Sequence, residues 1–175
     1  MFIKPAHVFF MYFFVASLIL AADLREKRIL FIDVDGVLNN ANSRIDESFV
    51  VEDDCLVNLK KIFDQTNTEG VLSSGWRTNQ EGKKFLKKKF KEKKIPLWVG
   101  ETPVDITNKR ANEIFSYLTD RFTNNEKYKF AIIDDLELIH FGDNTDFMNG
   151  HFVFIDKKVG LTEKDVQDVI NILTK

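Results

Sequence analysis

The sequence predicts an α/β fold, a three-layer sandwich around a mostly parallel five-stranded sheet. Three observations carry this. Short apolar runs of strand length alternate five times with longer runs of helical period. The first run, "RILFID", is apolar almost throughout, as a strand buried on both faces requires. Polar residues of chemical interest fall at the carboxyl ends of these runs, where open parallel sheets place their sites.

The elements follow in order. Strand one is "RILFID", ending at Asp33. From 51 to 63, Cys55, Leu56, Leu59, Ile62 and Phe63 recur at helical spacing. "GVLSS" (70–74) is strand two. "NQEGKKFLKKKFKEKK" (79–94) is a helix that stops before Pro96. "PLWVG" (96–100) is strand three. A helix over 107–118 takes Thr107 as its N-cap. "YKFAIID" (128–134) and "HFVFID" (151–156) are strands four and five. The last helix, 161–173, opens with a Thr162/Asp165 capping-box pattern and buries Val166, Val169, Ile170 and Leu173. Right-handed crossovers are the default connection.

Composition sets the class. At 175 residues the chain suits one domain, and its 44% hydrophobic content supports a real core. A net charge of -2 makes the whole chain no general magnet for nucleic acid. A single cysteine, Cys55, excludes an internal disulfide and a zinc knuckle. Residues 1–22 read separately. Lys4, an apolar run from 8 to 20 and then Ala21-Ala22 have the pattern of a secretory signal peptide, with a membrane anchor or a buried helix as alternatives. The run is shorter than the roughly 20 residues that span a bilayer. The expected organisation is therefore a leader over 1–22 and one domain over 23–175, in the secretory pathway or outside the cell.

The strand ends carry the chemistry. Asp33 and Asp35 follow strand one, Ser73 and Ser74 end strand two, and Asp134 and Asp135 end strand four. Carboxylates crowded into one crevice repel unless a cation lies among them, and hard oxygen donors suit Mg²⁺. A carboxylate beside such an ion can attack phosphorus. Hydroxyls and basic side chains nearby can hold phosphate oxygens.

"DVDGV" (33–37), "VLSSGWR" (71–77) and "FAIIDD" (130–135) resemble motifs one, two and four of the haloacid dehalogenase (HAD) superfamily, largely Mg²⁺-dependent phosphatases and phosphotransferases. Together with 102–118 and 151–173, these stretches resemble the small phosphatase domain of Swiss Army Knife RNA repair proteins. The resemblance covers essentially all of the chain after residue 27. It implies a Rossmann-like HAD fold and a phosphohydrolase that works through an aspartyl-phosphate. Asp33 would be the nucleophile and Asp35 the general acid and base. Ser74 would bind phosphate, with Ser73 as the alternative and Gly75 and Arg77 alongside. Asp33, Asp35, Asp134 and Asp135 would form the metal site, with Asp35 contributing its backbone carbonyl and Asp135 favoured over Asp134 as a direct ligand. The basic group of motif three is Lys109 or Arg110. Arg110 shares a face with Ile114, Tyr117 and Leu118 and is preferred.

Each of these residues has a plainer reading. Asp35-Gly36 alone is a turn, Ser73 and Ser74 are helix caps, and Asp134-Asp135 could cap the next segment. Arg77 and Arg110 could be ordinary surface arginines. The lysines of 83–94 read as a solvated helix face, with steering of a polyanion as the alternative. Stable nucleic-acid binding is not expected. His140 and His151 have no ligand spacing, Cys55 is a core residue, and Trp76 and Trp98 are packing residues. The intervals between the motifs are filled by the fold's own helices and strands, which leaves no room for a substantial cap. An open site suits a phosphate on a nucleic-acid end or a phosphoprotein, or a small molecule held loosely. The RNA-repair resemblance and the leader point to different compartments, so the substrate class stays open. The expected partner is the phosphorylated substrate, with the protein a monomer and off the membrane once the leader is cleaved. Competing functions are a non-catalytic binding protein of the same fold and a phosphotransferase.

Overall fold

The computed structural model describes residues 26–41, 43, 49–105, 109–122, 127–138 and 145–175. The leader expectation, the Thr107 cap and His140 lie outside them. No helix among the described residues is long and apolar enough to cross a membrane.

The chain runs β1 (Lys27–Ile32), α1 (Asp53–Thr66), β2 (Glu69–Leu72), a 3-10 turn (Gly75–Thr78), α2 (Gln80–Lys93), β3 (Gly100–Glu101), α3 (Arg110–Arg121) and β4 (Tyr128–Asp134). A second 3-10 turn (Asp146–Met148), β5 (Phe152–Phe154) and α4 (Glu163–Thr174) complete it. The five strands are ordered β3-β2-β1-β4-β5 and every pair is parallel. The expected α/β sandwich is therefore what forms. Leu30, Ile32, Leu72, Ala131 and Ile133 face one core with α1, α2 and α4. Ile29, Phe31, Val71, Phe130 and Ile132 face the other, against α3. Strand geometry makes this alternation unavoidable.

Strand two ends at Leu72 rather than 74, and the helix expected over 107–118 is observed over Arg110–Arg121; two further strands shrink more. Strand three, expected over 96–100, forms only at Gly100–Glu101. Pro96 has no N–H for a ladder. Trp98 instead packs edge-on against Phe90, and its indole N–H donates to Glu101 at 3.2 Å. Strand five, expected over 151–156, contracts to three residues. His151 donates its backbone N–H to Met148 O, and its ring lies against Phe130. The α4 capping box forms as expected, with Thr162 and Asp165 each serving the other's backbone. Cys55 is buried in the core.

Candidate active site

Strand register brings the acids together. Ile32 pairs with Leu72 on one side and Ile133 on the other. The next residues in each strand are Asp33, Ser73 and Asp134. Asp33 donates its N–H to Ile133 O at 3.2 Å, and Ser73 donates to Ile32 O at 2.9 Å. The period of two continues from Ile29 and Phe31 to Asp33, and from Phe130 and Ile132 to Asp134. Both carboxylates therefore turn toward α3.

The first residue of α3 meets them there. Arg110 Nη1 donates to Asp33 Oδ1 and to Asp134 Oδ2, each at 3.0 Å. Lys109 is the N-cap residue of α3, and its side chain makes no cap hydrogen bond. Arg110, the preferred of the two basic candidates, thus touches two of the acids. Burial works against its charge, but the carboxylates of Asp33 and Asp134 outweigh burial and raise its pKa.

Asp33, Asp134 and Asp135 each offer an oxygen, and these lie within 4.8 Å of one another. Burial pushes the Asp33 carboxyl above its usual range, although Arg110 and a hydrogen bond from Ser74 pull the other way. Burial, with the neighbouring Asp33 charge, pushes Asp134 up to about 8. Burial also raises Asp135, which feels Lys157 as an opposing positive charge. Three crowded acids that all resist ionisation form a donor set that a hard divalent cation would stabilise. The residues present fit Mg²⁺.

The raised values have a consequence in chelator. Between about 4 and about 8, folded Asp134 holds a proton that the unfolded chain has released. Folding then takes up protons, so stability falls as pH rises through that window. Thermal unfolding in chelator should give a melting temperature that declines from roughly pH 5 to pH 8. Asp134→Asn should flatten the decline. A melting temperature that rises across the same range would refute the assignment.

Asp35 stands apart from the three. Its Oδ2 accepts the indole N–H of Trp76 at 3.0 Å, and its Oδ1 accepts Asn39 Nδ2 at 3.1 Å. Its place in the metal set is expected through the backbone carbonyl, which leaves the carboxyl to these two donors. The turn at Gly36 makes this possible. Gly36 has φ +77°, and a Cβ there would fall 2.5 Å from Asp135 Oδ2. Only glycine fits a left-handed turn that also admits a neighbouring carboxylate so closely. Asn39 is buried and locks the turn, accepting from Gly36 N at 2.8 Å and donating to Val50 O at 3.0 Å.

Ser74 is buried at the start of the first 3-10 turn, where it hydrogen-bonds Asp33 and accepts from Trp76 N. Ser73 Oγ is buried with no partner among the described residues. Gly75 is exposed and nothing crowds it. Arg77 corrects an expectation. Placed after strand two, it reads as an anion ligand, but its guanidinium is buried and turned away from the acids. It donates to Ser74 O at 2.7 Å, to Thr102 O at 3.0 Å, to Pro103 O at 3.2 Å and to Glu113 Oε1 at 2.5 Å. Glu113 also accepts from Asp105 N at 3.2 Å and lies 3.4 Å from Arg110 Nε. A buried chain of charges thus runs from Arg77 through Glu113 and Arg110 to Asp33. Glu113, Asn39 and the indole N–H of Trp76 were not singled out from sequence. Trp76 meets Asp35 across 41 residues and Glu113 meets Arg77 across 36, while Asn39 bonds locally to Gly36 and Asp35 within its own turn.

Two recesses flank the acids. One, of about 350 Å³, is lined by Asp35, Gly36, Asn39, Asn40, Asp135 and Lys157. The other, of about 610 Å³, opens beside Arg110 and is lined by Gly75, Arg77, Thr78, Val104, Leu136 and Leu138. No curated protein and no solved structure matches the chain. The HAD domain in Swiss Army Knife RNA repair proteins does match, over residues 29–166. That span takes in four strands whole, most of β1 and every acid of the site, so the chain belongs to this HAD family and carries its phosphohydrolase-type domain.

Proposed function

We propose that the protein is a Mg²⁺-dependent phosphomonoester hydrolase that works through an aspartyl-phosphate on Asp33. The observation that carries this reading is the Asp33 carboxylate itself. It is held by Arg110 and Ser74 within 4.8 Å of two further acids, at the open end of the central strand.

Asp33, Asp134 and Asp135 would hold the ion. When bound, it would withdraw charge from the phosphoryl oxygens. The remaining work falls to the chain's own groups. An Asp33 oxygen attacks phosphorus and the bond to the leaving oxygen breaks. Asp35 gives that oxygen its proton. In the second half, water attacks the phosphorus, Asp35 takes the water's proton, and the bond to Asp33 breaks to release orthophosphate. Trp76 and Asn39 orient Asp35 for both transfers. Ser74 and Arg110 stabilise charge on the group in flight. Membership of the family supports the same reading.

The test is phosphate release from a generic aryl phosphate, from acetyl phosphate as an activated control, and from oligonucleotides phosphorylated at either end, with and without Mg²⁺. Activity should vanish in chelator and return with the ion. Asp135→Ala should weaken the Mg²⁺ dependence more than Asp134→Ala, because Asp135 is half-exposed while Asp134 is already engaged by Arg110 and by Leu136 N. The reverse order would exchange their roles. Full turnover in chelator would remove the metal from the mechanism.

A further inference from the structure

We infer that Glu113 is a positioning residue for Arg110: with Arg77 it forms a buried frame that fixes the Arg110 guanidinium against the acids and ties it to the turn that carries Ser74. The inference rests on the hydrolase reading above, in which Arg110 and Ser74 stabilise the group in flight.

Glu113 lies three residues after Arg110 in α3, so the two side chains share a face. An acid in the first turn of a helix is ordinary when it faces water, because it offsets the helix dipole. Glu113 does not face water. It is 4% exposed, and both its oxygens are engaged. Oε1 accepts from Arg77 Nη2 at 2.5 Å and from Asp105 N at 3.2 Å, and Oε2 lies 3.4 Å from Arg110 Nε. A buried ion pair is weak evidence of a gain in stability, since apolar residues of similar volume often serve as well. Stability alone therefore does not account for the pair.

Its geometry accounts for it as a clamp. The Arg110 guanidinium hangs on a flexible stem, and Nη1 alone bridges Asp33 and Asp134, at 3.0 Å each. A guanidinium held at one nitrogen can still swing about that contact. The ion pair at Nε adds a second point on the same rigid plane, and two points fix its direction. Glu113 is itself held by Arg77, whose other donors reach Ser74 O, Thr102 O and Pro103 O. Ser74 joins the frame through its carbonyl, while its hydroxyl meets Asp33. One continuous set of buried contacts thus sets the spacing between the two groups that hold phosphoryl oxygens. Misplacing such a group by about 1 Å can cost about a hundredfold in rate.

The test is a double-mutant cycle between Glu113→Gln and Arg110→Lys, with kcat and KM for an aryl phosphate in Mg²⁺ and thermal unfolding of each variant. Glu113→Gln keeps the shape and loses the charge. Its kcat should fall by about tenfold or more, with KM within about threefold. In the Arg110→Lys background the same change should cost less than about twofold, because the plane it orients is gone. A second readout needs neither metal nor turnover. In chelator, the Arg110 Nε–H should give an NMR resonance that exchanges slowly with solvent, and Glu113→Gln should speed that exchange by about tenfold or more. If Glu113→Gln does not fold, the joint Arg77→Met and Glu113→Met variant removes both buried charges together and is read in the same two ways. Equal losses of kcat in both backgrounds, or unchanged Nε–H exchange, would reduce Glu113 to a structural acid and overturn the inference while the hydrolase stands. Absence of turnover on every phosphate ester in the parent protein would refute the hydrolase instead, and Nε–H exchange would then decide the frame by itself.

Discussion

Asp33→Asn is expected to abolish phosphate release while the fold survives. The amide has the carboxylate's shape but lacks its nucleophilic charge, so no aspartyl-phosphate forms on it. The loss should be at least about a thousandfold, which corresponds to roughly 4 kcal/mol of barrier. Stability should change little. Asp33 is buried and its carboxyl already resists ionisation, so neutralising it relieves a cost of burial. Against this, Arg110 loses one acidic partner and keeps Asp134 and Glu113. Steady-state release on acetyl phosphate and thermal unfolding measure the two effects. Release within tenfold of the parent protein would unseat Asp33 as nucleophile.

Glu113→Ala should give a large loss of stability. Glu113 and Arg77 are both nearly fully buried, and the pair is joined at 2.5 Å. Removing one partner of a buried ion pair strands the other charge in a low-dielectric interior, at a cost of about 3–5 kcal/mol. For a domain of this size that lowers the melting temperature by roughly 10 °C. Glu113→Gln keeps an acceptor for Asp105 N and should cost less. An exposed pair gives the contrast. Breaking Lys164–Asp168, where water already solvates the lysine, should leave the melting temperature almost unchanged. A shift that small for Glu113→Ala would mean that water reaches the pair.

The sequence carries the centre of this molecule and loses its periphery. β1 and β4 were legible because both faces are buried, and a run such as "ILFI" has no other comfortable conformation. The acids were legible because they follow those strands directly. Arg110 was legible over Lys109 because helical spacing placed it on the face of Ile114 and Leu118, which the structure buries in the core under Asp33. The failures are long-range. "PLWVG" is rich in strand formers, but Pro96 and the pull of Phe90 on Trp98 leave only Gly100–Glu101 to pair. Arg77 sits where an anion ligand would, yet Glu113, 36 residues further on, captures it. Trp76 looks like packing, and it does pack against Phe49, but its N–H is set by Asp35, 41 residues earlier. Such pairings follow from the sheet order, which no local window contains.

The shortness of β3 has a consequence in time. A two-residue edge strand has few ladder bonds to lose, so its amides should exchange with solvent well before those of β1 and β4. Thr102 and Pro103 follow it at once, and their carbonyls are the supports of Arg77. Each opening of that edge loosens the hold on Arg77 and leaves Asp33 and Asp134 on their interior strands. Warming should therefore free the Arg77 end of the buried charge chain at temperatures where β1 and β4 are still paired, and amide exchange at Gly100 and Glu101 would track it.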